Sequence, residues 1–103
     1  MAKRTVVWAE TATRQRREVL KYWTKHNGST VYAEKLIKVI ANQTRIILSH
    51  PESFKTTTYA DTRESAMGHF SIYYKATKDQ LIITAFWDNR QDPKDLLEII
   101  KKG

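Results

Sequence analysis

The chain has 103 residues, one small domain's worth, which excludes a two-domain enzyme with a separate cofactor module. Hydrophobic residues make up 41% and charged residues 28%, with 3 Gly, 2 Pro and no Cys, so the chain reads as globular and offers no disulfide, thiolate nucleophile or Cys-ligated zinc. The net charge of +7 falls wholly in residues 1–50, which hold 10 Lys/Arg against 3 Asp/Glu, while residues 51–103 hold 8 of each.

Residues 4–9, Arg-Thr-Val-Val-Trp-Ala, are β-branched and aromatic and predict a short strand. Thr11 and Thr13 are both candidate N-caps for a helix running from Thr13 to His26. Val19, Leu20 and Trp23 fall on one face of it, and Arg14, Arg16, Arg17, Lys21 and Lys25 take up much of the rest. Asn27-Gly28 supplies residues that tolerate a left-handed helix end. Ser29 or Thr30 can cap a second helix, whose apolar positions Ala33, Leu36, Ile37, Ile40, Thr44, Ile47 and Leu48 recur in steps of three and four until Pro51. So short a link makes the pair an antiparallel hairpin.

Beyond Pro51 the period changes to two. Thr56–Tyr59 predicts a strand, and Gly68 precedes another over 69–76. Phe70, Ile72, Tyr74 and Ala76 share one side of that second strand, and His69, Ser71, Tyr73 and Lys75 the other. Residues 77–80 form a hairpin turn into Leu81–Trp87, a nearly continuous apolar run expected of a central strand. Asp92-Pro93 opens a short C-terminal helix carrying Leu96, Leu97 and Ile100. The expected order is β-α-α-β-β-β-α, an α+β fold with a helical hairpin packed on a small twisted antiparallel sheet, in one domain spanning 1–103.

A basic face suits RNA, DNA or an acidic protein, so the helical residues Arg14, Arg16, Arg17, Lys21, Lys25, Lys35 and Lys38 are the candidate docking set for a polyanion or acidic partner. No run approaches the roughly 18 apolar residues of a membrane span, and Met1–Arg4 lacks an apolar signal core, so a cytoplasmic protein without membrane contact is expected. The chain has no Gly-rich phosphate loop, and His26, His50 and His69 lie in different elements without metal-ligand spacing, so no metal or cofactor is expected. His26 and His50 read as helix-end residues. The alternating His69, Ser71, Tyr73 and Lys75, with Lys55 and Arg63 on the approach and Arg90 beyond the last strand, would supply a base, a phenol and cations. Metal-free RNA cleavage by 2′-OH attack uses such groups. An exposed sheet face alternates in the same way, and Arg90 can equally pair with a carboxylate such as Asp92.

Three stretches then resemble the RelE/ParE superfamily of toxins from bacterial type II toxin–antitoxin modules. They are Trp8-Ala9-Glu10-Thr11-Ala12 before a basic helix, Gly68–Tyr74, and Ile82–Pro93 with its Arg. The resemblance implies a small basic toxin that arrests growth and is neutralised by a cognate antitoxin docked on the helical hairpin or the sheet groove. RelE-like members cleave mRNA on the ribosome without a metal; ParE-like members poison DNA gyrase and are not known as nucleases. An Arg that RelE-like nucleases place three residues before the strand Gly is replaced by Ser65, with Arg63 nearest, and the Tyr or His after the last strand is missing from Asp88–Gln91. Arg90 resembles the basic residue that ParE-like members retain. The resemblance therefore favours gyrase slightly. The alternative, a ribosome-dependent nuclease, would bring Arg63, His69 and Arg90 together as its catalytic set. A nucleic-acid-binding domain without toxicity is a more distant reading.

Overall fold

A computed structural model describes residues 4–91. Strand β1 (Thr5–Trp8) leads into helix α1 (Glu10–Asn27) and helix α2 (Val31–Ser49), followed by β2 (Lys55–Thr56), β3 (Arg63–Met67), β4 (Phe70–Ala76) and β5 (Gln80–Asp88). The expected α+β architecture is present, with one more strand among the described residues than the sequence suggested. The C-terminal helix expected from Asp92-Pro93 lies outside them.

α1 begins earlier than a threonine cap would place it. The Thr13 N–H already donates to the Ala9 carbonyl, so Ala9 occupies the cap position and neither Thr11 nor Thr13 does. The helix ends as expected at Gly28, whose φ of 64° is left-handed and whose N–H closes on the Thr24 carbonyl. At the start of α2, Ser29 Oγ accepts the Val31 N–H, and the helix stops at His50, before Pro51. His26 lies in the last turn of α1 and His50 at the α2 C-cap, both at helix ends as expected. Among the described residues, no helix is long and apolar enough to cross a membrane.

The sheet order is β1-β5-β4-β3-β2. Three pairs are antiparallel, but β1 runs parallel to β5, so the sheet is mixed at that edge. β2 is shorter than Thr56–Tyr59. Thr57 Oγ1 donates to the Thr62 carbonyl and accepts the Tyr59 N–H, which turns the chain instead of extending it. β3, Arg-Glu-Ser-Ala-Met, has no β-branched residue and owes its conformation to pairing with β2 and β4.

β5 carries an extra residue, Thr84, because Tyr73 faces Ala85 while Tyr74 faces Ile83. The bulge turns Leu81 and Ile83 to the same side as Phe86, whereas Ala85 and Trp87 pack with Tyr73 on the other. This explains an apolar run without strict alternation. The main core lies on the helix side, where Leu36, Ile40 and Ile47 of α2 meet Phe70, Ile72, Tyr74, Leu81, Ile83 and Phe86. Tyr74 is fully buried and its hydroxyl donates to the Pro51 carbonyl at 2.6 Å, tying β4 to the end of α2.

Candidate functional site

β1 stops at Trp8, opposite Ile83, so the edge of β5 beyond that point has no strand beside it. Gln15 of α1 fills the gap by accepting the Phe86 N–H through Oε1 at 2.9 Å. Its Nε2 is buried and has no hydrogen-bond partner among the described residues. Gln15 sits on the apolar stripe of α1 between Ala12 and Val19. A polar residue on an otherwise apolar stripe is the one sign of this contact that the sequence carries.

Just beyond β5 the Asp88 carboxylate accepts from the Arg90 backbone N–H at 3.0 Å. It also receives the Arg90 guanidinium as a fork, Nε on Oδ1 at 2.9 Å and Nη2 on Oδ2 at 2.8 Å. Arg90 thus pairs with Asp88, two residues back, and not with Asp92. These hydrogen bonds hold the Asp88 carboxyl below the usual carboxylate range. The guanidinium lies 5.4 Å from the Trp23 ring centroid and 5.9 Å from that of Phe70, within cation–π range. Between α1 and this turn opens a cleft of about 660 Å³ lined by Gln15, Glu18, Tyr22, Trp23, Asp88 and Arg90. Around its rim Tyr22 stacks on His26 at 5.6 Å, and Trp23 meets Tyr32 at 5.2 Å.

The sequence-predicted catalytic residues are distributed differently. Gly68 takes a left-handed φ of 67°, which places His69 in the β3–β4 turn and not on the strand face. There its carbonyl accepts the Asn89 N–H at 2.7 Å. His69 and Arg90 therefore share one end of the sheet. Arg63 pairs with Tyr74, four residues along β4 from Phe70, or about 13 Å away at 3.3 Å per residue. Its Nη1 donates to the Phe54 carbonyl at 2.7 Å. Ser65 is fully buried and its hydroxyl accepts from Gln43 Nε2 at 2.6 Å.

Ser71 and Tyr73, expected on an open polar face, are buried. Ser71 Oγ donates to Glu64 Oε2 at 2.7 Å and accepts from Asn89 Nδ2 at 2.9 Å. Burial, reinforced by the Glu64 carboxylate opposite it, pushes the Tyr73 phenol up from 10.0 to about 12. The folded protein holds that proton more tightly than the unfolded chain, so stability falls as pH rises from 10 to 12. In urea titrations across this window, Tyr73→Phe is expected to show a shallower loss than wild type. Equal slopes for the two proteins would contradict this environment for Tyr73.

The basic set divides in two. Arg14, Arg17, Lys21, Lys25, Lys35 and Lys38 are exposed on the helices, whereas Arg16 turns inward with its guanidinium 4.3 Å from the Trp8 ring centroid. Among the described residues, no cluster of three His, Cys, Asp or Glu side chains is arranged to hold a metal ion.

A family model described as "ParE toxin of type II toxin-antitoxin system, parDE" matches residues 6–93. A solved chain titled "Chromosomal ParDE TA system from P. aeruginosa" superposes with a TM-score of 0.70 at 12% sequence identity, covering 82% of this chain and 94% of that one. At that identity the likeness is one of fold. No curated protein matches the sequence.

Proposed function

This chain belongs to the ParE toxin family of type II toxin–antitoxin systems, and from that premise we propose that it arrests growth by binding DNA gyrase, without cutting nucleic acid itself. As a toxin of this class it has a cognate antitoxin. The observation that carries the gyrase reading is the dispersal of the groups a metal-free nuclease would need. Arg90 is forked onto Asp88, Arg63 is held on the Phe54 carbonyl at the far end of β4, and buried Ser65 stands where a nuclease's Arg would be. A phosphoryl-transfer site needs a base and cations focused on one phosphate. The Arg90 cleft, with its aromatic wall and fixed cation, suits the anchoring of a protein segment better. DNA and its topoisomerases are cytoplasmic in bacteria, and the toxin acts there.

The antitoxin, in this reading, docks on the flanks of the helical hairpin. The α1–α2 groove, about 610 Å³, is lined by the apolar Leu20, Ala33 and Ile37 together with Lys21, Lys25 and Glu34. Ile37, Val39 and Ile46 are large and about half exposed on α2, as expected of a surface covered in a complex.

The test is a supercoiling assay with purified gyrase beside primer extension on cellular mRNA after toxin induction. Blocked supercoiling, trapped gyrase–DNA complexes and intact mRNA are expected. Unimpaired supercoiling at saturating toxin, with mRNA cut, would overturn the proposal in favour of the ribosomal nuclease.

A further inference from the structure

The end of β5 beside α1 has no strand against it, and its backbone groups follow a definite order. Hydrogen-bonding groups of successive strand residues point to opposite sides of the strand. The Asn89 N–H donates to the His69 carbonyl, toward β4, whereas the Phe86 N–H donates to Gln15 on α1. Trp87 therefore faces β4, and Phe86 and Asp88 face outward. Two of their four outward groups are used within the chain. Gln15 Oε1 takes the Phe86 N–H, and the Asp88 carbonyl accepts the Gln91 N–H at 2.9 Å. The Phe86 carbonyl and the Asp88 N–H remain, and the Arg90 cleft of about 660 Å³ opens beside them. Gln15 lines the same cleft, and its buried Nε2 is a further donor without a partner among the described residues. An unpaired buried donor destabilises the free fold, and an acceptor arriving in the cleft relieves it.

This pattern selects the occupant. In an antiparallel pair one residue exchanges both of its bonds with the residue opposite. Neither Phe86 nor Asp88 has both groups left for that. A parallel strand uses the carbonyl of one residue and the N–H of the second residue after it, which is the pair that remains. β1 already runs parallel to β5, so an added segment would continue its direction beyond Trp8. A phosphate backbone has no N–H to offer the Phe86 carbonyl. The cleft carries the carboxylates of Glu18 and Asp88, and its one cation, Arg90, is already forked onto Asp88. An acceptor and a donor in this order, without an unpaired cation, suit a polypeptide main chain and not a nucleic acid.

We propose that an extended segment of the target protein enters the Arg90 cleft and pairs in parallel with Phe86–Asp88. One of its residues donates its N–H to the Phe86 carbonyl and accepts the Asp88 N–H on its own carbonyl. Gln15 Nε2 donates to a second carbonyl of the segment; the terminal torsion of a Gln side chain is soft enough to turn it there. Tyr22 and Trp23, on the opposite wall, receive a side chain of the segment. This deepens the gyrase reading and rests on it for the partner's identity.

The experiment is hydrogen–deuterium exchange of the full chain, alone and with purified gyrase, read at the Asp88 amide. Beside it, supercoiling is assayed with wild type and Gln15→Glu. A glutamate keeps an oxygen for the Phe86 N–H but lacks the donor, and circular dichroism melting checks that the variant is folded. Exchange at Asp88 about tenfold slower in the complex is expected. Inhibition about tenfold weaker in the folded variant is expected as well. If Gln15→Glu does not fold, the exchange result on wild type decides alone. Inhibition by wild type without slower exchange at Asp88 would overturn this proposal and leave the gyrase reading standing. So would a folded Gln15→Glu that inhibits as strongly as wild type. Equal slowing at Asp88 by a 20-bp duplex in place of gyrase would overturn it by marking a nucleic-acid site. Supercoiling unimpaired by wild type would remove the gyrase reading and this one with it.

Discussion

Replacing Phe86 by Ala is expected to lower the stability of the fold by about 3–5 kcal/mol. Phe86 is 1% exposed, its ring stacks on Phe70 at 5.3 Å, and Trp8 leans against it at 6.5 Å. It therefore joins β5 to β4 and β1 on the helix side of the sheet. Truncation removes the aromatic's transfer energy and leaves a cavity that rigid strands on both sides cannot fill. A domain of this size is worth about 5–15 kcal/mol in total, so the variant should unfold at a much lower urea midpoint with little change in slope. Lys38→Ala, at an exposed position of α2, is the control and should stay within about 0.5 kcal/mol of wild type. A Phe86→Ala midpoint close to that control would show that the layers are not held together here.

The hydrophobic period made both helices legible, and alternation with a turn made the β4–β5 hairpin legible. These signals are local, and the residues that carry them are the ones buried in the core. β3 was not legible because Arg63–Met67 has neither alternation nor β-branched residues; its partners impose the strand. The parallel pairing of β1 with β5 was hidden as well, since nothing within Thr5–Trp8 selects a partner far along the chain. His69 and Ser71 share a parity, but the left-handed Gly68 puts His69 in the turn, so the alternation of β4 begins only at Phe70. Around Arg90 the chemistry was nearer the surface of the sequence. Asp followed two residues later by a backbone donor is a turn signature, and it places the carboxylate beside the Arg90 side chain.

That pairing leads to the largest functional effect. Arg90→Ala is expected to weaken gyrase inhibition at least tenfold, and Arg90→Lys nearly as much. A lysine retains the charge but cannot reproduce the two parallel hydrogen bonds to Asp88 or lay a flat cation over Trp23 and Phe70. The guanidinium is 46% exposed, so its pairing contributes little to folding, and circular dichroism melting should change only slightly. An activity loss without a stability loss is what separates a positioned binding group from a structural one. The Asp88 side adds a pH signature. Its carboxyl is held below the ordinary value of 3.8, so the stability it contributes is present above that pH and disappears as pH falls through the lower folded value. Asp88→Asn should flatten the acid limb of the unfolding curve and free the Arg90 side chain. If Arg90→Lys inhibits supercoiling as well as wild type, charge alone suffices and the fork has no part in target binding. If both Arg90 variants retain full inhibition, the cleft is not the gyrase-facing surface, and the toxin must engage its target through another face.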